Sequence, residues 1–226
     1  MTSPTAHAPG HPGAEYLEAI FEMAEERIPP VQARLAEWMG VSPASVSEAV
    51  KRLTRDGLLR VADRKLEFTK EGESLAVVLV RRHRLAEHFL IRIIGLPWYK
   101  AHEEAERWER VISDDVEARM FDILGDPATG PHGNPIPGSS HRVDYSGLIP
   151  LKDVSPGERA VLRRLTEDLE LELEVMRFFE ESGLMPGARI DVVSLAPDGT
   201  MTLEVQGASV ALGPDLSDNL WVDLER

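Results

Sequence analysis

The sequence predicts a mainly α-helical chain with a β C-terminal part, and three observations carry that prediction. Apolar residues recur at helical spacing, in several runs, from about Ala14 to Ile112. A Gly/Pro-rich stretch, "GDPATGPHGNPIPGSS" (residues 125–140), closes this helical region. After one further helix near Leu173 to Ser182, short apolar-alternating runs set between Gly and Pro read as strands.

The first 13 residues, rich in Pro, Gly, Ser, Thr and Ala, read as a disordered tail in which His7 and His11 are solvated. A helix from about Ala14 to Arg27 follows, with Leu17, Ile20, Phe21 and Ala24 on its apolar side, and Ile28-Pro-Pro30 stops it. The stretch "VQARLAEWMGVSPASVSEAVKRLTRDGLL" (31–59) holds a short helix through Trp38, a turn at Gly40 and a second helix from Ser42 or Pro43. Ser42 can cap that helix and Pro43 suits its first turn. "GLLRVADRKLEFT" (57–69) then alternates and turns as a two-stranded wing with Arg60, Arg64 and Lys65 near its tip. A long helix is expected from about Thr69 to Ile94, and after Gly95-Leu-Pro97 another holds "HEEAERWER" (102–110). Beyond the Gly/Pro-rich loop and a linker to about Val154, strands are expected at Arg189–Leu195, Met201–Val205, Ala208–Leu212 and Leu220–Leu224.

With 226 residues, 42% of them hydrophobic and 28% charged, the chain can bury one substantial core or two to three small ones. No run of 18 apolar residues is present and the N-terminus lacks a signal-peptide pattern, so a cytoplasmic protein without a membrane span is expected. With no cysteine, disulfides, zinc-thiolate sites and cysteine nucleophiles are excluded together. Any metal is held by oxygen and nitrogen.

A net charge of -14 argues against loose attraction to nucleic acid, but the charge is uneven. Residues 42–70 carry seven Lys/Arg against four Asp/Glu, whereas residues 141–226 carry eight against 17. Two helices joined by a glycine turn and followed by a basic wing form a winged helix-turn-helix. On it, Lys51, Arg52, Arg55, Arg64 and Lys65 are placed to contact phosphates, and Ser42, Ser45, Ser47 and Glu48 to meet base edges.

The second chemical signal is acidic. Two carboxylates about 4 Å apart repel by about 4 kcal/mol at an effective dielectric near 20, and a divalent cation reverses that sign. His83 and Glu87, i and i+4, interrupt the apolar face of the long helix. On the next helix His102, Glu106 and Glu109 fall within an arc of about 60°. Glu15 and Glu18 can add further ligands from the first helix. Oxygen donors with some nitrogen and no sulfur suit Mn(II), then Fe(II), with Co(II), Ni(II), Zn(II) and Cd(II) able to bind in vitro. The same residues also fit a winged-helix regulator that metal does not gate, or a metal-dependent hydrolase. Against the hydrolase, no nucleophile motif and no Gly-rich phosphate loop is present.

"RRHRLAEHFL" (81–90), "HEEAERWERVISDDVE" (102–117) and "GNPIPG" (133–138), together with the upstream winged helix, resemble the diphtheria toxin repressor family of iron- and manganese-responsive regulators. The resemblance extends over nearly the whole chain from Glu15. It implies a non-enzymatic homodimer whose metal-loaded form binds palindromic double-stranded operator DNA, represses metal uptake and so controls manganese or iron homeostasis. It also implies a winged helix-turn-helix at 14–70, a helical dimerisation and metal-binding domain at 71–140, a linker at 141–153 and an SH3-like, FeoA-like β domain at 154–226.

Position by position, the family's ancillary metal site falls on His83, Glu87 and His102, with a third-domain carboxylate expected at Glu172. The neighbouring third-domain ligand falls on Val175, so that either Glu174 compensates or the coordination changes. The primary site has Glu15 and Glu106 where iron-type members carry methionine and cysteine, as in manganese-type members, and Glu18 and Glu109 also match. Where the family has a histidine ligand, this sequence has Arg110, which has no lone pair to donate. Either Arg110 neutralises Glu106 or Glu109 and leaves a poorer site, or the working site is the complete one at His83, Glu87 and His102. The second is favoured, with Glu15, Glu18, Glu106 and Glu109 contributing a second position.

Overall fold

The computed structural model describes residues 9–225, as two compact units. The first comprises the chain up to His83 together with Glu106–Arg119, and the second comprises Arg84–Ala105 and the chain from Met120 onward. His7 and most of the expected tail lie outside the described residues.

In the first unit α1 (Ala14–Glu25) ends where Arg27 takes a left-handed conformation, φ 58°, ahead of the two prolines. α2 (Gln32–Trp38) and α3 (Pro43–Arg55) meet through a turn that needs Gly40 at φ +62°. Ser42 caps α3, its hydroxyl accepting from the Ser45 amide at 3.1 Å. β1 (Leu59–Ala62) and β2 (Lys65–Phe68) pair antiparallel, and Asp63 and Arg64, both at positive φ, form the two-residue turn between them. Leu17, Ile20 and Met23 of α1 share a core with Leu35, Val46, Val50, Leu53, Leu59, Leu66 and Leu79. The expectation of a solvated His11 is overturned: this imidazole is 7% exposed and its Nε2 lies 3.2 Å from Asp56, just past α3. An apolar/polar count over a Pro/Gly-rich segment carries no sign of such a long-range ion pair.

α4 (Lys70–Phe89) carries His83 in the first unit and Glu87 in the second. Its continuation, Leu90–Ile94, widens to a π-helical turn before Gly95 ends it at φ 82°. α5 (Ala101–Trp108) is shorter than expected, because the chain turns at Glu109 and Arg110 and a separate α6 (Asp114–Leu124) begins after Ser113. Glu109 therefore lies one residue beyond the helix that carries His102 and Glu106.

The second unit closes with a six-stranded antiparallel sheet of order β3-β8-β4-β5-β6-β7: β3 (Ile149–Pro150), β4 (Arg159–Leu165), β5 (Arg189–Leu195), β6 (Met201–Val205), β7 (Ala208–Leu212) and β8 (Leu220–Leu224). Register shifts at Leu162/Arg164 and Val192/Ser194 bend β4 and β5. The core holds Leu151, Leu162, Phe179, Leu203 and Val222, among others, with Phe179 supplied by α8 (Leu173–Ser182). The short helix α9 (Pro214–Asp218) precedes β8. Part of the stretch expected as linker, 141–153, is built into this unit, since β3 pairs with β8 and Leu151 is fully buried.

Candidate metal centre

The second unit brings together side chains from four places in the chain. Glu87 comes from α4, His102 from α5, His132 from the loop 125–140, and Glu170 from α7 (Glu167–Glu170), a single turn after β4. Glu87, His132 and Glu170 are 1%, 1% and 5% exposed. His132 Nδ1 lies 2.7 Å from Glu170 and 3.2 Å from Glu87, and His102 Nδ1 lies 3.3 Å and 3.6 Å from the same two carboxylates. Ligand atoms of Glu87, His102 and Glu170 fall within 4.8 Å of one another.

Local chemistry accounts for each placement. Gly133 sits at φ +94°, and a Cβ there would lie 2.1 Å from the Arg163 carbonyl, so only glycine lets the loop press onto β4 and carry His132 inward. The His132 carbonyl accepts from the Leu165 amide at 3.0 Å, and the Thr129 carbonyl lies 2.6 Å from His88 Nε2. Trp98 donates its indole N–H to Pro131 and meets the His132 ring edge-on, centroids 4.7 Å apart. Asn134 donates to Glu170 Oε1 at 3.0 Å, leaving Oε2 toward the imidazoles. Arg84, one turn before Glu87, is buried against Glu167, one turn before Glu170, and also donates to the Pro135 carbonyl.

Burial disfavours a charged imidazole at His132, but the Glu170 and Glu87 carboxylates outweigh it and raise its pKa from 6.5 to about 10. Burial likewise opposes charge on Glu170, yet His132 holds that carboxyl below its ordinary value. Neither ring nitrogen of His132 has a partner at a good hydrogen-bonding angle, although Nδ1 lies at ion-pair distance from two carboxylates. A buried imidazole facing two buried carboxylates and a second imidazole fits a divalent cation with oxygen and nitrogen donors.

Glu87 and His102 meet in this centre, and His83, at the end of the first unit, has its Nδ1 2.7 Å from Glu109 and 4.0 Å from Glu18. Ligand atoms of Glu18, His83 and Glu109 also lie within 4.8 Å of one another. Arg110 joins them, 3.4 Å from Glu109 and 3.5 Å from Glu15. Glu106 is exposed on α5.

Glu172 and Glu174, expected as third-domain ligands, are exposed, whereas Glu170, two residues before Glu172, is buried beside His132. One turn of α7 puts Glu167 and Glu170, i and i+3, on the buried side, and the chain then swings Leu171 and Glu172 outward. In "EDLELELE" acidic and apolar residues alternate, so the pattern does not reveal which carboxylate turns in. His132 and Asn134 were missed although they lie in or beside "GNPIPG"; two donor side chains in a Gly/Pro-rich loop were the available signal.

On the winged helix, Ser42, Ser45, Glu48, Lys51 and Arg55 are exposed on α3, Ser47 and Arg52 are half-buried, and Arg64 and Lys65 are exposed at the wing tip. Ser42 and Ser45 hydroxyls lie 2.9 Å apart within the cap, and Arg55 donates to Asp56 at 3.4 Å.

Three stretches of the chain match family models. Residues 13–65 match "Iron dependent repressor, N-terminal DNA binding domain", 69–138 "Iron dependent repressor, metal binding and dimerisation domain", and 149–224 "FeoA domain". The iron-dependent repressor IdeR of Mycobacterium tuberculosis is 41% identical over 202 residues, 85% of this chain and 87% of that one. The diphtheria toxin repressor of Corynebacterium glutamicum is 39% identical over 220 residues, 92% and 94% of the two chains. Among solved structures, a manganese-dependent transcriptional repressor in complex with manganese superposes with a TM-score of 0.79 at 31% identity, covering 94% of this chain and all of that one. With a DNA-binding, a dimerisation and a FeoA region matched in that order, the chain belongs to the diphtheria toxin repressor family of iron-dependent repressors, metal-dependent regulators of transcription.

Proposed function

We propose that Glu87, His102, His132 and Glu170 hold the regulatory divalent cation, Mn(II) ahead of Fe(II), and that a homodimer so loaded binds a palindromic operator and represses metal-uptake genes. The observation that carries the reading is the convergence of two buried carboxylates on His132, an imidazole without a well-angled hydrogen bond. A divalent ion held there would take the place of the proton that His132 otherwise carries between the two carboxylates, and would accept the donors' lone pairs. The remaining work belongs to the chain: Asn134 aims Glu170, Trp98 sets the plane of His132, and Arg84 holds α7 through Glu167. The donor set contains no sulfur, which favours Mn(II) and Fe(II) in the cell, while Co(II), Ni(II), Zn(II) and Cd(II) enter the same site in vitro. Relatives are described as iron- and as manganese-dependent, in keeping with this pair.

For DNA, Lys51, Arg52, Arg55, Arg64 and Lys65 take phosphates, and Ser42, Ser45, Ser47 and Glu48 face base edges. Two-fold symmetry of the dimer matches half-sites about one helical turn apart. The protein acts by binding, without turnover, on DNA in the cytoplasm. No helix among the described residues is long and apolar enough to cross a membrane.

Calorimetric titration of Mn(II) into chelator-stripped protein tests the ligand set. Glu87→Gln and Glu170→Gln each weaken binding by at least about tenfold, since loss of a ligand exceeds the effect of losing an outer partner. Glu172→Gln stays within about twofold, as expected for an exposed side chain. Wild-type affinity in Glu170→Gln overturns the assignment.

A further inference from the structure

The group in the first unit differs from the centre just described in one respect that decides its chemistry. Glu109 is 1% exposed, and both of its oxygens are engaged: Oε2 lies 2.7 Å from His83 Nδ1, and Oε1 accepts from Arg110 Nε at 3.4 Å. The same guanidinium reaches Glu15 on α1, Nη2 to Oε2, at 3.5 Å. We propose that Arg110 is a built-in cation that closes this group to divalent metal, so that each protomer takes one ion, at Glu87, His102, His132 and Glu170, instead of two.

A guanidinium stays protonated throughout the accessible pH range and has no lone pair, so it adds charge to the group without adding a ligand. It is tethered one residue from Glu109, and any metal must compete with a cation at high effective concentration. An ion arriving at the buried Glu109 would also meet the positive charge of Arg110, which is itself partly solvated at 41% exposed and so repels it through screened electrostatics. His132 presents the opposite situation, with two carboxylates nearby and no well-angled hydrogen bond on either nitrogen. By joining Glu15 to Glu109, Arg110 further holds α1 to the segment after α5 whether or not metal is present. It acts as a specificity-determining residue that makes this group a structural one and leaves metal response to the other centre.

The proposal rests on the metal reading above, and one experiment separates the two. Full-length protein stripped of metal is dialysed to equilibrium against excess Mn(II), and bound manganese is counted per protomer by elemental analysis, with circular dichroism on every variant. Wild type binds one ion, Arg110→His binds two, Glu87→Gln binds none, and the Glu87→Gln/Arg110→His double variant binds one. Glu109→Gln in the wild-type background still binds one. Two ions in wild type, or one in folded Arg110→His, would overturn the proposal. No ion in wild type would instead overturn the metal reading on which it rests.

Discussion

Replacing Gly133 with alanine tests how the loop carrying His132 is held, and the cost can be assembled from the geometry. The residue sits at φ +94°, a conformation that costs a side-chain-bearing residue about 1 kcal/mol. The added Cβ would lie 2.1 Å from the Arg163 carbonyl oxygen and 2.6 Å from the Arg164 Cα, so the loop must retreat from β4. That retreat strips the bond from the Leu165 amide to the His132 carbonyl, worth about 1 kcal/mol net. It also strips the one from Tyr145 to the Gly133 carbonyl, worth about the same. The sum is about 3 kcal/mol, or about 6–12 °C in Tm for a chain of this size. Gly157 is the matched control: φ is +89° but nothing lies within 4 Å of its Cβ position, so alanine there costs the strain alone. That is about 1 kcal/mol and about 2–4 °C. Differential scanning calorimetry on chelated protein reads both, and Mn(II) titration of Gly133→Ala then shows at least about a tenfold loss as His132 leaves the carboxylates. Equal Tm for the two alanine variants, or unchanged Mn(II) affinity in Gly133→Ala, would refute the reasoning.

Three other outcomes follow from the same contacts. The His132 pKa is raised from 6.5 to about 10, so its contribution to the stability of metal-free protein is complete below pH 6.5 and is lost as pH rises through about 10. Chelated wild type accordingly loses more Tm between pH 7 and 10 than His132→Gln does, and parallel profiles would count against the ion pair. Arg84→Met strands Glu167 in the interior at a cost of about 3–5 kcal/mol, whereas Arg84→Met/Glu167→Leu recovers most of it in urea unfolding. A double variant no more stable than the single one would contradict this. Ser42→Ala removes the α3 cap and costs about 1 kcal/mol, while Ser42→Asp retains it; equal denaturation midpoints for the two would exclude a capping role.

Legibility in the sequence followed the range of the interactions involved. The β5 to β8 strands and the helix-turn-helix were readable because alternation, capping by Ser42 and the Gly40 turn are local signals. β4 was not, because Arg164 occupies an inward position, 7% exposed with its guanidinium 5.9 Å from the Tyr145 ring, and breaks the apolar alternation. Glu87 and His102 were legible as polar residues interrupting or flanking apolar helical faces. Helical spacing carries Glu109 onto one face with His102 and Glu106, but α5 ends at Trp108, one residue before it. Glu170 and His132 depend on contacts between segments far apart in the chain, which no spacing rule encodes. The family resemblance points to Glu172, which is exposed, while Glu170 two residues earlier is buried, within a run of alternating acids where register is set only by which side of α7 packs inward.

In the proposed function, metal at Glu87, His102, His132 and Glu170 controls DNA binding. Fluorescence anisotropy of labelled promoter DNA, titrated with protein in chelator and then in Mn(II) at constant ionic strength, tests it most directly. Tightening by about a hundredfold, which corresponds to about 2.7 kcal/mol of coupling, is predicted for wild type and is lost in Glu170→Gln. Equal affinity of wild-type protein for the same DNA in chelator and in Mn(II) would contradict it.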